Sequence, residues 1–383
     1  MSTHPASHES GAQPLGTPQG VDLWHRVNRY ISTSNAPAST AEPFNGLALD
    51  LFRFQWACNT MYRAWCGHLG WTSEAVEGLD DWHRIPCLPV EAFKWGEVRS
   101  EGIAETGESL TFRTSGTTGQ EQGLHLVRTP GLYRQSAVSG FSAAFGAPSD
   151  QGAVVLGLLP GYLERPDSSL VHMVHLLRTA GWIEPEGLWP GAGTPEGGFH
   201  LDDVEALFEK VSLLQESGRE VVLIGVTWAL VDASAAWQAS GRPPLERGVH
   251  IAVTGGMKGR REEWVAERVR GTLAAGFGCP AIGGEYGMTE LLSQAWSTSK
   301  GLYAPPPWMR LRLRRTDDPL AQVPPGSTGA LDVVDLANIG SCCFLATQDL
   351  ARQHQRPGER GAAFELLGRF DHAEVRGCNL LVN

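Results

Sequence analysis

The stretch Thr114–Gly119 reads TSGTTG. Its residue types suit one task, the holding of an anion. Gly116 and Gly119 permit backbone conformations that a residue with a Cβ resists. Successive backbone N–H groups in such a turn form a nest for negative charge. The hydroxyls of Thr114, Ser115 and one or both of Thr117 and Thr118 add donors for phosphate oxygens. A surface Ser/Gly turn reads the same way in isolation, and the GxxxxGK[ST] pattern of the P-loop is absent here. Three more elements follow in order: EYGMTE at Glu285–Glu290, TQDL with Asp349, and GRFD with Arg369 and Asp371. Glu290 alone reads as a helix-start charge, and Asp349 or Arg369 alone as a solvated loop charge. Their joint occurrence in this order is what carries information.

Other residues invite chemistry with less pattern behind them. Cys378 lies in RGCNLLVN, after Gly377 and near Arg376 and His372. Neighbouring cations favour a thiolate, and a thiolate on a hinged tail is a candidate nucleophile; a buried, inert cysteine is the plainer meaning. TGGMKG, Thr254–Gly259, follows an apolar strand and reads either as a ligand-facing loop or as a Gly-rich turn. His172 and His175 are three apart on an expected helix, too weak a signal for a metal site; core or surface histidines account for them. The 13 tryptophans serve packing as readily as an apolar acyl pocket.

These residues need a scaffold, and the apolar spacing describes one. Met1–Gly20 is rich in Ser, Pro, Gly and His and reads as disordered. From Val21 to Gly70 the text is helical, with Leu47, Leu51, Phe54, Cys58, Met61 and Trp65 on one face and Gly67 and Gly70 as stops. IPCLPVEAFKWGEV, Ile85–Val98, is Pro-punctuated and half-buried in character. Then strands alternate with helices. Ala153–Pro160, the start of Val221–Leu230, and His250–Gly256 read as strands; Ser168–Gly181, Asp202–Gly218 and the segment opening REEWVAER read as helices. That alternation predicts an α/β fold with a largely parallel sheet. From Arg310 strands dominate, including Thr328–Leu336 and Ser341–Leu350. MRLRLRR, Met309–Arg315, reads as a strand with one charged, solvated face. No internal repeat is visible.

Composition narrows the class. The 383 residues are 42% apolar, enough for a sizeable core, and the net charge of −11 disfavours nucleic acid and anionic membranes as partners. No apolar run is long enough to span a bilayer, and the start lacks the pattern of a signal peptide. Seven cysteines without a CxxC pair argue against a disulfide framework or a zinc site. A reducing, cytoplasmic enzyme is expected.

The ordered set TSGTTG, EYGMTE, TQDL and GRFD resembles the adenylate-forming superfamily of acyl- and aryl-CoA ligases, adenylation domains and luciferases. FRFQWACNTMYRAWC, IPCLPVEAFKWGEV, LLPGYLERPDSSLVHMV, TGGMKGRREE and RGCNLLV narrow the likeness to the acyl-protein synthetases of bacterial luminescence (LuxE-type), over nearly the whole chain beyond about residue 40. The resemblance implies an α/β fold: a large N-terminal domain with mostly parallel sheets flanked by helices, plus a small β-rich C-terminal subdomain. It places a disordered tail at 1–20, a helical N-terminal part of the core at 21–110, an α/β nucleotide-binding core at 111–305, and a β-rich subdomain with the ribose motif and cysteine tail at 306–383.

The resemblance also implies roles. ATP and Mg²⁺ would be the cofactors and a carboxylic acid, as a fatty acid, the substrate. Thr114, Ser115, Gly116, Thr117, Thr118 and Gly119 would hold phosphate, with Gly284, Glu285, Tyr286 and Gly287 in the nucleotide site and Tyr286 against adenine. Thr289 would touch the α-phosphate, Glu290 would bind Mg²⁺, Asp349 would accept from the ribose hydroxyls, and Arg369 would sit near ribose or phosphate. Cys378 would carry the acyl group for delivery to a reductase or another acceptor protein. The chain departs from the family twice. Glu121, Gln122 and Gly123 stand where many members carry a lysine, for which Arg113, Arg128 and Lys258 are the candidate substitutes. The chain also ends at Asn383, so the small mobile C-terminal domain, with its lysine, is expected to be absent. Three functions follow: an acyl-protein synthetase, a stand-alone ligase passing an acid to an amine, carrier protein or CoA, and a non-catalytic nucleotide- or partner-binding subunit.

Overall fold

The computed structural model describes residues 13–33, 43–107, 109–114, 122–148, 152–159, 166–182, 203–245, 247–255, 264–298, 300–324, 326–354 and 363–370. Regular elements occur inside the stretch 1–20 expected to be a disordered tail. Strand β1 (Pro14–Gly16) leads into α1 (Pro18–Thr33), α2 (Phe44–Cys58), α3 (Thr60–His68) and α4 (Ser73–Glu77). The apolar face expected through this region is broken once. Asn59 is extended (φ −110°, ψ 104°), and its side chain accepts from Tyr62 N, so it ends α2 and caps α3.

The next elements are short: β2 (Leu88–Pro89), α5 (Ala92–Trp95), β3 (Ile103–Glu105), β4 (Leu110–Arg113) and β5 (Leu124–Val127). β1 pairs with β3, and β4 forms an antiparallel hairpin with β5. The middle then alternates: α6 (Pro130–Phe145), β6 (Val154–Leu158), α7 (Ser169–Thr179), α8 (Val204–Glu216), β7 (Val221–Val226), α9 (Thr227–Ala239), β8 (Val249–Thr254), α10 (Ala266–Phe277), β9 (Ile282–Tyr286) and β10 (Ala295–Ser297). Local chemistry sets several boundaries. Ser168 and Asp203 cap α7 and α8 through Val171 N and Ala206 N, and Gly278 ends α10 in the left-handed region (φ 63°).

Strands β6, β7, β8 and β9 are parallel neighbours, with β10 antiparallel at the β9 edge. Every residue of β6 and β7 is buried, as expected of a parallel sheet covered on both faces. The chain continues into β11 (Leu302–Tyr303), β12 (Met309–Arg314), β13 (Thr328–Asp335), β14 (Phe344–His354) and β15 (Ala363–Arg369). These form the second sheet in the order β11-β15-β14-β13-β12, and β2 joins it in parallel beside Leu345 and Ala346.

β12 is a strand as its alternation predicts, but its charged face is not solvated. Arg312 and Arg314 are buried and close on Asp332 of β13 at 3.0 and 2.6 Å. Their other N–H groups donate to carbonyls of His83, Ile85, Leu331 and Thr347. Alternation reports which residues share a face; the chain packed over that face, residues 83–87, decides whether water reaches it.

Candidate functional site

The neck of the Thr114–Gly119 loop is closed twice. Thr114 N donates to Gly123 O at 3.0 Å, and Gly123 N donates to Thr114 Oγ1 at 2.8 Å. The hairpin β4–β5 therefore delivers both ends of the loop to one place. Ser115, Gly116, Thr117, Thr118 and Gly119 lie outside the described residues, as does Glu121.

EYGMTE begins on the last strand of the parallel run. Gly284 allows close approach there: a Cβ would stand 2.7 Å from the Tyr303 hydroxyl and 3.0 Å from the Val253 carbonyl. Gly287 serves the side chain before it, because a Cβ would meet Glu285 Oε1 at 2.0 Å. Among the described residues no cation offsets the burial of Glu285, which pushes its carboxyl up to about 7. Tyr286 is buried, with the Phe364 ring edge-on at 5.2 Å.

Residues far apart in sequence converge on Tyr286. Its hydroxyl donates to Asp349 Oδ2 at 3.0 Å, and Arg369 Nε donates to Asp349 Oδ1 at 3.1 Å. The sheet explains the second contact, since Asp349 and Arg369 are register partners on β14 and β15. Thr289 Oγ1 donates to the Arg113 carbonyl at 3.4 Å, which ties the EYGMTE turn to the loop neck. Glu290 is buried, and its carboxyl is pushed up to about 7. Burial is the chief cause; Arg369 and Lys94 oppose the shift and Glu91 adds to it. A buried carboxylate under partial cationic compensation suits a divalent ion that keeps phosphate oxygens and water as its other ligands.

A second layer holds this turn, and nothing in the sequence pattern marked it. His125 faces the Thr289 carbonyl with Nδ1 at 2.7 Å and Ser341 Oγ with Nε2 at 2.9 Å. Burial holds its imidazole down at about 4, so it is neutral. A proton on Nδ1 serves the carbonyl, and Nε2 faces the Ser341 hydroxyl, which also stands 2.9 Å from Asn338 Oδ1 as its donor. Asn338 Nδ2 donates to the Glu290 carbonyl at 2.7 Å. The buried Asp335 accepts from Leu292 N and Ser293 N, each at 2.9 Å. Gln55 of α2 in turn fixes the turn at 338–343, donating to carbonyls of Asn338, Ile339 and Ser341 and accepting from Cys343 N. Lone His, Asn, Asp and Gln residues carry no periodic signal, so only the fold reveals them.

Other candidates sort themselves. Arg128 is engaged by Glu101 and the Ser100 carbonyl, and Arg113 is exposed at the end of β4. Lys258 and Asp371 lie outside the described residues. His172 is buried and stacked on Tyr133 at 5.7 Å, its imidazole held down at about 4 chiefly by burial; packing accounts for it. Burial pushes the thiols of Cys58, Cys66 and Cys87 up to about 12 and raises those of Cys279, Cys342 and Cys343. No described cysteine is poised as a thiolate. Cys378 lies outside the described residues. Among the described residues no helix is long and apolar enough to cross a membrane.

No protein-family model matches the chain. It is similar to a long-chain-fatty-acid–luciferin-component ligase of Vibrio harveyi, 23% identical over 337 residues that span 86% of this chain and 84% of that protein. Among solved structures it is similar to a 2-hydroxyisobutyryl-CoA ligase in an open conformation with 2-HIB-AMP and CoA: TM-score 0.56, 11% identity, 88% of this chain and 75% of that one. The same ligase in its thioesterification state gives a TM-score of 0.56 at 13% identity, over 86% and 68% of the two chains. The chain thus has the α/β fold of the adenylate-forming ligases.

Proposed function

We propose that this chain activates a carboxylic acid with ATP, forming an acyl-adenylate and releasing pyrophosphate. The observation that carries the reading is the meeting of Tyr286, Asp349 and Arg369 through bonds of 3.0 and 3.1 Å. Sheet register brings Arg369 beside Asp349, and Tyr286 reaches the same partly open carboxylate from the other sheet. The ligase fold and the Vibrio harveyi relative support the same chemistry.

An acid does not pass on its acyl group in neutral water because oxide is a poor leaving group. In the proposed step a carboxylate oxygen attacks the α-phosphorus, the bond from that phosphorus to the bridging oxygen breaks, and pyrophosphate leaves with the electron pair. Acid and nucleotide are both anionic, so the site must hold like charges at close range. The Thr114–Gly119 loop would donate to phosphate, and Thr289 to the α-phosphate. A carboxylate has about four acceptor positions. Tyr286 and Arg369 take two on Asp349, leaving positions for the ribose hydroxyls, with the Tyr286 ring against adenine. Glu290 would hold Mg²⁺, which supplies charge neutralisation at the phosphates when bound.

The acyl acceptor in this reading is Cys378. Its thiolate attacks the acyl carbonyl, the bond from that carbon to the AMP oxygen breaks, AMP leaves, and the thiol proton passes to solvent. The shifted thiols of the described cysteines support this choice, because none of them presents a thiolate. The relative's name makes long-chain fatty acids the first substrates to test; a reductase or other acyl-accepting protein is the proposed partner, and the cytoplasm the proposed setting. The test is acid-dependent ATP–pyrophosphate exchange over a panel of acids, followed by intact-mass measurement. Absence of exchange with every acid would sink acid activation. Cys378→Ser should keep exchange and lose the thioester mass; undiminished labelling of that variant moves the acceptor elsewhere.

A further inference from the structure

No lysine stands in the loop itself, since Glu121, Gln122 and Gly123 follow Gly119 and Gln120. A lysine reaches the neck from another direction. β2 hydrogen-bonds along β14, with Leu88 opposite Leu345 and Pro89 opposite Ala346. Val90 N then donates to the Ala346 carbonyl at 3.1 Å, and Lys94 N to the Glu91 carbonyl at 2.8 Å. The strand that carries Asp349 therefore also delivers α5. Phe93 is buried with its ring edge-on to His125 at 5.2 Å, while the next residue, Lys94, is exposed. A Cβ on Gly123 would meet Thr114 Cγ2 at 3.1 Å and Lys94 Cγ at 3.5 Å. The stem of Lys94 thus lies against Gly123, the residue whose two hydrogen bonds to Thr114 close the loop. Its charge acts on the Glu290 carboxylate together with that of Arg369. Among the described residues its ammonium has no ion-pair partner, Glu91 on the same turn included.

We infer that Lys94 supplies the cation for the polyphosphate of ATP, reaching the loop from α5 in place of a lysine within it. The inference rests on the acid-activation reading. An ammonium is a compact charge with three rotatable donors, suited to phosphate oxygens. Its stem lies against Gly123 at the loop neck, whereas Arg369 is tied to Asp349 at the ribose end, so the two cations divide the nucleotide between them. Of the described arginines named as candidate substitutes, Arg128 is engaged by Glu101, and Arg113 is exposed at the end of β4 and is not among the groups nearest a Cβ on Gly123, as the Lys94 stem is.

The test compares ATP with AMP, which lacks the outer phosphates, by calorimetric titration of the full chain. Lys94→Met should weaken ATP by about 10- to 100-fold, the loss of a charge-assisted bond. AMP affinity should stay within about twofold, since AMP lacks the phosphates that such a bond would serve. That retained AMP affinity also reports an intact fold. Lys94→Arg should restore most of the ATP affinity, because the charge returns. Equal ATP affinity in Lys94→Met and wild type overturns the inference, and so does an equal loss of ATP and AMP in both Lys94→Met and Lys94→Gln. Wild-type protein that binds ATP no more tightly than AMP also overturns it. Wild type that prefers ATP, loses the preference with Lys94→Met and yet supports no exchange with any acid would retain Lys94 while rejecting acid activation.

Discussion

Asp332 and Asp349 sit on neighbouring strands of one sheet, and each faces arginine. Asp332 is shared by Arg312 and Arg314, with side-chain exposures of 1%, 9% and 8%. Asp349 faces Arg369, with exposures of 13% and 70%. In the first group every strong partner is protein, and the remaining N–H groups end on carbonyls. In the second, one side of the carboxylate is finished by Tyr286 and the other is left to an arginine standing in water. The same two residue types thus serve a structural and a ligand-facing purpose, and solvent access separates them. A sealed charge group adds little net stability when formed, yet costs heavily when one member is removed; an exposed pair contributes little either way.

This contrast is open to attack at three points. The largest effect is expected at the sealed group. Asp332→Ala leaves two buried guanidinium groups without their anion and should cost about 3–5 kcal/mol in denaturant unfolding. A loss no greater than that of an average surface substitution would erase the distinction. The second point is the open pair. Asp349→Asn should weaken ATP by about 10- to 100-fold. Its unfolding free energy should shift by about 1 kcal/mol or less. A large stability loss with unchanged nucleotide affinity would reverse the assignment of the two groups. The third point is a buried site carboxyl with no cation among the causes of its shift, and it is read through pH rather than through one free energy. Glu285 is pushed from an ordinary 4.5 up to about 7 by burial. Its contribution to stability is complete below the unfolded value and is lost as pH rises through the folded one. The stability of Glu285→Gln relative to wild type should therefore improve from pH 4 to pH 8, and parallel pH curves would show that Glu285 is not held up.

The parts of this molecule that were legible in sequence are those with repetition or order. Apolar alternation marked the strands and helices of the parallel sheet, and the cap residues Ser168 and Asp203 stand where the helical text begins. EYGMTE, TQDL and GRFD, read in order, pointed to Tyr286, Asp349 and Arg369, which meet in space. What stayed hidden depends on tertiary neighbours. Arg312 and Arg314 read as solvated because their covering chain, residues 83–87, lies far away in sequence. His125, Asp335, Asn338 and Ser341 are single polar residues whose meaning comes from the few buried groups they bond. Lys94 reads as an ordinary exposed lysine until β2 is seen beside β14.

The amide of Gln55 spans the greatest sequence separations in the site, binding groups 283 to 288 positions away. Contacts of such range form slowly, because the entropy of closing the intervening chain is spent before the contact repays it. The turn under Glu290 cannot be locked until residues near 343 have left the ribosome and found α2. During synthesis the parallel strands are available for pairing well before that turn is fixed, so competence to bind nucleotide should arrive as one of the last events of folding.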